Sequence, residues 1–361
     1  MRGVFLRMKV SLIIPVYNTE KVILNKCFQS IQNQTFKDYE VVIVDDGSSD
    51  KCAKYLDEIV SEKLNYHVIH QSNGGPSNAR NTGLDNIKGE FFCFIDADDY
   101  MSDDYIEKLV DTATSTGSDI VIANMIVIDE KDNEEIGRGE NKYNCSLLMS
   151  GKNRYNVIQQ FFHRVADDIQ LEEDPFQCKS NQLWMHVVIW GRMYRKATLG
   201  NIRFVSKVIF SEDNIFCLDS LIACKKLAFV KNTYYYYYAN EASISHRYSK
   251  FDVERYVDYF VALQERLYEW PEFFNAKYTA MMLGILKSRT QNDSFLKTYL
   301  EVKSILNFED IKQLSKCINM NDCAHNQEKR TRYCLIHDLP FLLSVFILLG
   351  RLKSKWKERK K

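Results

Sequence analysis

The chain has 361 residues, with 48 basic and 48 acidic side chains, so its formal charge is zero before histidine. Apolar residues at 45% and charged ones at 27% exclude a disordered chain, and only 5 prolines and 14 glycines exclude collagen-like or low-complexity sequence. A general nucleic-acid binder would carry a basic excess, so none is expected, and at about 150 residues per domain the length admits two domains.

The first 130 residues alternate between two hydrophobic periods. Val10–Val16, Glu40–Val44, Tyr66–Ile69, Phe91–Ile95 and Ile120–Ile128 read as runs buried on both faces, as in a parallel sheet. Between them, Lys21–Gln34 places Val22, Leu24, Cys27, Phe28 and Ile31 at helical spacing, and Pro76 opens a helix running to Ile87. Ser102 is expected to cap a third helix, with Asp103 and Asp104 in its first turn. This order predicts a doubly wound α/β sheet. Asp129–Asn144 reads as a loop or edge hairpin, and residues 186–246 continue the same domain. From Phe251 the pattern turns helical over Phe251–Trp270, Glu272–Gln291 and Ser294–Leu306, with Pro271 as a separator. The expected organisation is a catalytic domain over 1–250, a helical region over 251–338 and a terminal segment over 339–361.

Ligands of such sheets sit at the carboxyl ends of the strands. Polar clusters follow the first four strands: Tyr17-Asn18, Asp45-Asp46-Gly47-Ser48-Ser49-Asp50, Asn73-Gly74-Gly75 and Asp96-Ala97-Asp98-Asp99. Folding into one sheet would bring all four to one crevice. Three carboxylates directly after a buried strand repel one another and lose hydration, which a hard cation such as Mg²⁺ or Mn²⁺ would relieve. The alternative is a solvated turn of helix-capping acids. Asp46 suits a ribose or a base N–H, or else belongs to an Asp-Gly turn. The Asn73–Asn81 segment brings two glycines to a helix N-terminus, with Arg80 one turn in, where an anion or only a glycine turn fits. It has neither the Walker lysine pattern nor GxGxxG.

The combination resembles the family 2 glycosyltransferases of the GT-A fold. The resemblance is carried by VSLIIPVYNTE (10–20), SIQNQTFKDYEVVIVDDGSSD (30–50), NGGPSNARNTGL (73–84) and GEFFCFIDADDY (89–100), then by WGRMYRK (190–196), FSEDNIF (210–216) and EASIS (241–245). It spans about residues 8–246 in matching order. It implies an inverting transferase that takes a sugar from a nucleotide-diphosphate sugar, UDP by family frequency. The sugar would pass to a hydroxyl of a glycan or lipid-linked saccharide, in cell-surface polysaccharide synthesis. By position, Pro15, Tyr17 and Asp46 would hold the nucleoside, with Asp46 on the base, and Asn78 and Arg80 would belong to the donor site, Arg80 near the diphosphate. Asp96 and Asp98 would be the DxD pair, Asp98 reaching an Mg²⁺ or Mn²⁺ ion and Asp96 the ribose or the metal's outer shell, with Asp99 a competing ligand. Glu212-Asp213 would supply the catalytic base, Asp213 being favoured, and Trp190 would line the acceptor side. The arginine that relatives often carry before the small-Ser-Ile segment is missing from Tyr237–Glu241, so His246 or Arg247 would replace it. The tyrosines Tyr234–Tyr238 suit sugar stacking or, at alternate positions, a strand core.

Ten cysteines without a CxxC pair read as reduced thiols, and Met1–Lys9 carries neither a long apolar stretch nor a cleavage site, so a cytoplasmic protein is expected. The Cys317, Cys323, His325, Cys334 and His337 spacing fits no common zinc finger. His67 and His70 fall on opposite faces of a strand. Leu339–Gly350 is apolar but too short to span a bilayer, and residues 351–361 hold seven basic side chains and one acidic one. An apolar wedge with a cationic end suits the inner surface of an anionic membrane. Two other classes fit parts of the pattern. A haloacid-dehalogenase-type phosphatase also uses a strand-DxD, but nearer its N-terminus; an inactive sugar-binding scaffold would not need Asp96, Asp98 and Asp213.

Overall fold

The computed structural model describes residues 9–61, 63–129, 133–139, 145–162, 188–209, 211–239, 253–289, 294–320 and 326–358. It divides into two compact units, Met1–Ser206 with Ser211–Ser243, and Lys207–Phe210 with Ile244–Lys361.

The first unit is built on a ten-stranded sheet. Its opening half alternates β1 (Val10–Val16), α1 (Lys21–Gln32), β2 (Tyr39–Asp45), α2 (Asp50–Ser61), β3 (Tyr66–His70), α3 (Pro76–Asn86) and β4 (Phe91–Phe94). These four strands are parallel, in the order β3-β2-β1-β4. The register pairs Val10 with Tyr39 on one side and with Phe91 on the other. All seven β2 residues are buried, as continuous Val and Ile runs require, whereas the edge strand β3 leaves His67 and His70 open. The chain runs outward from β1 to β3 and returns on the far side of β1 as β4. The order therefore reverses between β1 and β4, which is where such sheets open a ligand crevice.

The second half adds β5 (Tyr100–Met101), α4 (Tyr105–Thr116), β6 (Ile120–Asp129), β7 (Glu135–Gly139), β8 (Cys145–Leu148), α5 (Gly151–Phe162), β9 (Arg192–Arg195), α6 (Lys196–Leu199), α7 (Glu212–Ala223) and β10 (Lys226–Ala239). β9 is antiparallel to both β4 and β6, and β10 runs parallel to β6. The expected edge hairpin is present as β7 against β6. Ser102 does not cap α4. Its hydroxyl donates to Asp104 Oδ1, while Gln34 Oε1 accepts the first-turn amide of Ile106 at 2.9 Å. A side chain reaching in from elsewhere can satisfy an orphan helix donor as well as a local cap can.

The second unit is helical, with Val253–Arg266, Pro271–Arg289, Phe295–Leu306, Glu309–Lys316, Asn326–Ile336 and Pro340–Glu358. Pro271 opens a helix rather than merely separating two, since an N-terminal turn needs no amide donor there. The core includes Phe260 edge-on to Tyr278 at 4.7 Å. Leu343 and Ile347 are buried, so the apolar stretch of the last helix packs within this unit on one side, while Phe341 and Leu349 stay exposed. Among the described residues no helix is long and apolar enough to cross a membrane.

Candidate active site

The four polar clusters do meet at the carboxyl ends of the parallel strands, linked by hydrogen bonds. Beyond β1, Asn18 adopts φ 50°, its amide donating to Ser48 Oγ at 2.9 Å and its Oδ1 accepting from the Ser49 amide at 2.8 Å. Pro15 is half-buried in β1 opposite Val44, and Tyr17 keeps 56% of its surface open. Gly47 lies at φ +75°, and a Cβ there would stand 2.7 Å from the Asn73 amide nitrogen. Only glycine lets the β2 and β3 ends approach this closely.

Asp46 is buried and braces that approach. Its Oδ1 accepts from Gln71 Nε2 at 2.7 Å and the Gly74 amide at 2.9 Å, and its Oδ2 accepts the Gly75 amide at 2.8 Å. The sequence suggested a carboxylate on a nucleobase. In the structure both oxygens are engaged by the glycine loop, whose amides precede a helix N-terminus and lack helical acceptors. Asn78, in the first turn of α3, holds the same loop: its Nδ2 donates to the Gly74 carbonyl at 2.7 Å and its Oδ1 accepts from Ser206 Oγ at 2.5 Å.

Arg80 is the hub of the site. It is buried on α3, and its guanidinium lies 5.4 Å from the Phe204 ring centroid. Nη1 donates to Glu212 Oε1 and Asp213 Oδ1, both at 3.1 Å, and Nη2 to Asp96 Oδ1 at 3.2 Å. The expectation put this arginine beside a diphosphate. It instead ties the strand-end carboxylates to the acidic pair of α7, because one buried cation among three carboxylates lowers their mutual repulsion. The acidic pair follows Ser211, a non-glycine residue at φ 57°. Strain of this kind is held in place by its surroundings and gathers at functional sites.

Asp213 leaves 24% of its side chain open. Burial pushes its pKa up to about 7, against the opposing charge of Arg80 and with the added repulsion of Glu212 and Asp96. A carboxylate poised there can take a proton near neutral pH.

The DxD turn separates its acids. Asp96 and Asp98 are half-buried, whereas Asp99 is fully buried. Asp99 Oδ2 accepts from the Tyr235 hydroxyl at 2.7 Å and its Oδ1 from the Tyr238 amide at 2.8 Å. Burial, reinforced by the charges of Asp98 and Asp96, holds its carboxyl well above the ordinary carboxylate range. Asp99, expected from sequence as a competing metal ligand, thus has both carboxylate oxygens engaged by β10. The Tyr235 hydroxyl also accepts the Asp96 amide at 3.1 Å, so this tyrosine fixes the turn from both sides.

Trp190 differs from expectation too. It is 6% exposed and stacks on both Tyr235 (4.9 Å, 12°) and Tyr237 (5.1 Å, 7°), so its ring is packed against protein. Of the late tyrosines, Tyr235 alone is fully buried, and the other four are half-buried. The bracing role of Tyr235 and the floor formed by Phe204 were not read from sequence. Strand alternation marks Tyr235 as inward-facing but does not say that its hydroxyl reaches β4. His246 and Arg247, proposed to replace a missing arginine, lie outside the described residues, as do Cys323 and His325.

Comparison with known proteins agrees with this geometry. Residues 11–183 match the model of Glycosyl transferase family 2, a segment that holds all four strand-end clusters and stops before the acidic pair. Glycosyltransferase GlyA of Streptococcus pneumoniae is 27% identical over 72% of this chain, and EpsH of Bacillus subtilis 29% identical over 67%. The chain spans 34% of the length of GlyA and 64% of EpsH. Among solved structures, residues 1–349 of TarS from S. aureus in complex with UDP superpose with a TM-score of 0.67 at 17% identity, covering 96% of this chain and 92% of that one. The mainly parallel sheet with its strand-end acids is thus the GT-A fold, and residues 11–183 are similar to glycosyl transferase family 2.

Proposed function

We propose that the chain is an inverting, metal-dependent sugar transferase that moves a sugar from a nucleotide-diphosphate sugar to a hydroxyl of a glycan or lipid-linked saccharide, in cell-surface polysaccharide synthesis. The observation that carries this reading is the Arg80 bridge. It brings a carboxylate whose pKa is pushed up to about 7 alongside the DxD pair, at the crevice where the strand order reverses. A UDP-linked donor is favoured by the TarS structures, which were solved with UDP and with UDP-GlcNAc.

Asp213 takes the proton of the acceptor hydroxyl as its oxygen bonds to the anomeric carbon, and the bond from that carbon to the diphosphate oxygen breaks on the opposite face. Inversion follows from this in-line geometry, through an oxocarbenium-like transition state. Glu212 and Arg80 orient Asp213, and the open ring of Tyr17 offers a surface for the base. Asp96 and Asp98 offer hard oxygen donors that fit Mg²⁺ or Mn²⁺. Among the described residues no three His, Cys, Asp or Glu side chains are placed to enclose an ion. When bound, such an ion would supply Lewis-acid neutralisation of the leaving diphosphate.

Two results are expected. Mn²⁺-dependent stabilisation of the protein by UDP-sugars in a thermal-shift assay should disappear in Asp98→Ala but persist in Asp99→Asn; loss in both or in neither contradicts the assignment. The basic segment 351–361 and the exposed Phe341 and Leu349 favour contact with an anionic membrane. Flotation with phosphatidylserine vesicles should recover the protein at low salt and lose it at about 0.5 M, where charge is screened. Equal recovery on neutral vesicles would count against an electrostatic surface.

A further inference from the structure

Arg192 begins β9 beside Ile122 of β6 and is 1% exposed. Its Nη1 donates to Cys217 Sγ at 3.6 Å, a weak and neutral acceptor, while Nε and Nη2 find no hydrogen-bond partner among the described residues. Among the described residues this guanidinium makes no ion pair. Each unmet buried donor is costly, and an apolar side chain of similar size is often as stable or more so in such a place. Packing does not account for an arginine here.

Its position beneath α7 does. Cys217 stands four residues after Asp213, one turn along the same helix face, so the cation lies against the face that carries Asp213, one turn further along. The other groups around Asp213 are Glu212 on α7, Arg80 on α3, Asp96 after β4 and Tyr194 on β9. Burial keeps Tyr194 and Cys217 neutral, and Glu212 and Asp96 repel the carboxylate. Arg80 attracts it but is shared among three carboxylates. The unshared charge on this side is Arg192.

We propose that Arg192 is a positioning residue for the acidic pair, a fixed cation behind α7 that keeps Asp213 seated and ionised independently of Arg80. The importance of this for turnover rests on Asp213 acting as the base. The test uses the full chain with Arg192→Met, and Arg192→Lys as the charge-conserving control. Arg192→Gln serves in place of Arg192→Met should the latter not fold.

Carboxyl ¹³C NMR, with the Asp213 signal assigned through Asp213→Asn, gives the Asp213 midpoint without metal or donor. The midpoint should rise by about one unit in Arg192→Met and stay within about 0.3 in Arg192→Lys. Donor hydrolysis with Mn²⁺ should be about tenfold slower in Arg192→Met on the acid side of pH 7, recovering to within about threefold at pH 9, with the donor KM unchanged. A purely structural arginine would lower the rate equally at every pH. An Asp213 midpoint identical in wild type and Arg192→Met overturns the inference. A shifted midpoint in a protein that hydrolyses no donor leaves the Arg192 assignment standing and overturns the transferase reading.

Discussion

Arg80→Met is expected to lower the stability of the protein by about 3–5 kcal/mol at pH 8, the usual consequence of removing one partner from a buried ion pair. Asp96, Glu212 and Asp213 then face one another with no cation between them, since Arg80 is the group that joins all three. The loss should shrink by at least half at pH 5, because Asp213, whose pKa burial pushes up to about 7, is then protonated and no longer adds to the repulsion. Arg80→Lys should recover only part of it, as a point charge cannot reach three carboxylates through two guanidinium nitrogens. Denaturant unfolding at the two pH values measures both effects. Equal loss at pH 8 and pH 5 would show that Arg80 acts by packing on Phe204 rather than by charge.

Asp213→Asn separates catalysis from stability. Turnover should fall by a factor on the order of 10²–10⁴, the range for removing a general base. Stability should rise at pH 8. The folded carboxyl titrates at about 7, above the ordinary value of about 4 for an unfolded aspartate. Between those values the folded state keeps a proton that the unfolded state has released. Ionising Asp213 therefore removes stability as pH rises from about 4 to 7, and the whole loss is present above 7. Asparagine avoids it, so the gain in Tm should be greatest at pH 8 and vanish near pH 4. The wild-type rate should climb with pH through about 7. A Tm gain that is flat with pH, or near-normal turnover, would take Asp213 out of the base role.

Much of this site was legible before folding because the parallel-sheet rule maps sequence onto space. A polar cluster after each buried run has to reach the same sheet edge, and Tyr17, Asp46, Asn78 and Asp96 all do. The rule does not say which partner each side chain finds. Asp46 and Asp99 have ordinary acidic contexts in sequence, yet one is engaged by the Gly74 and Gly75 amides and the other by Tyr235 and Tyr238, 139 positions away in the latter case. Arg80 reads as an anion binder from its place near a helix N-terminus. Its carboxylate partners at 212 and 213 arrive from a distant segment, and no local pattern announces them. Trp190 was placed at the acceptor side by the family resemblance. Its burial depends on β10 presenting Tyr235 and Tyr237 on one face, a register that composition does not encode. Arg192 did leave a sequence signal, a charge inside the apolar stretch Ile189–Tyr194, and that signal is worth pursuing wherever the strand is central.

The most direct test of the account is release of UDP from UDP-sugars by the purified full chain, without acceptor, with and without Mn²⁺. The account predicts slow, metal-dependent UDP release that rises through about pH 7 and is lost in Asp213→Asn. Release of inorganic phosphate in place of UDP, or no release together with no thermal shift from any nucleotide sugar, would contradict it.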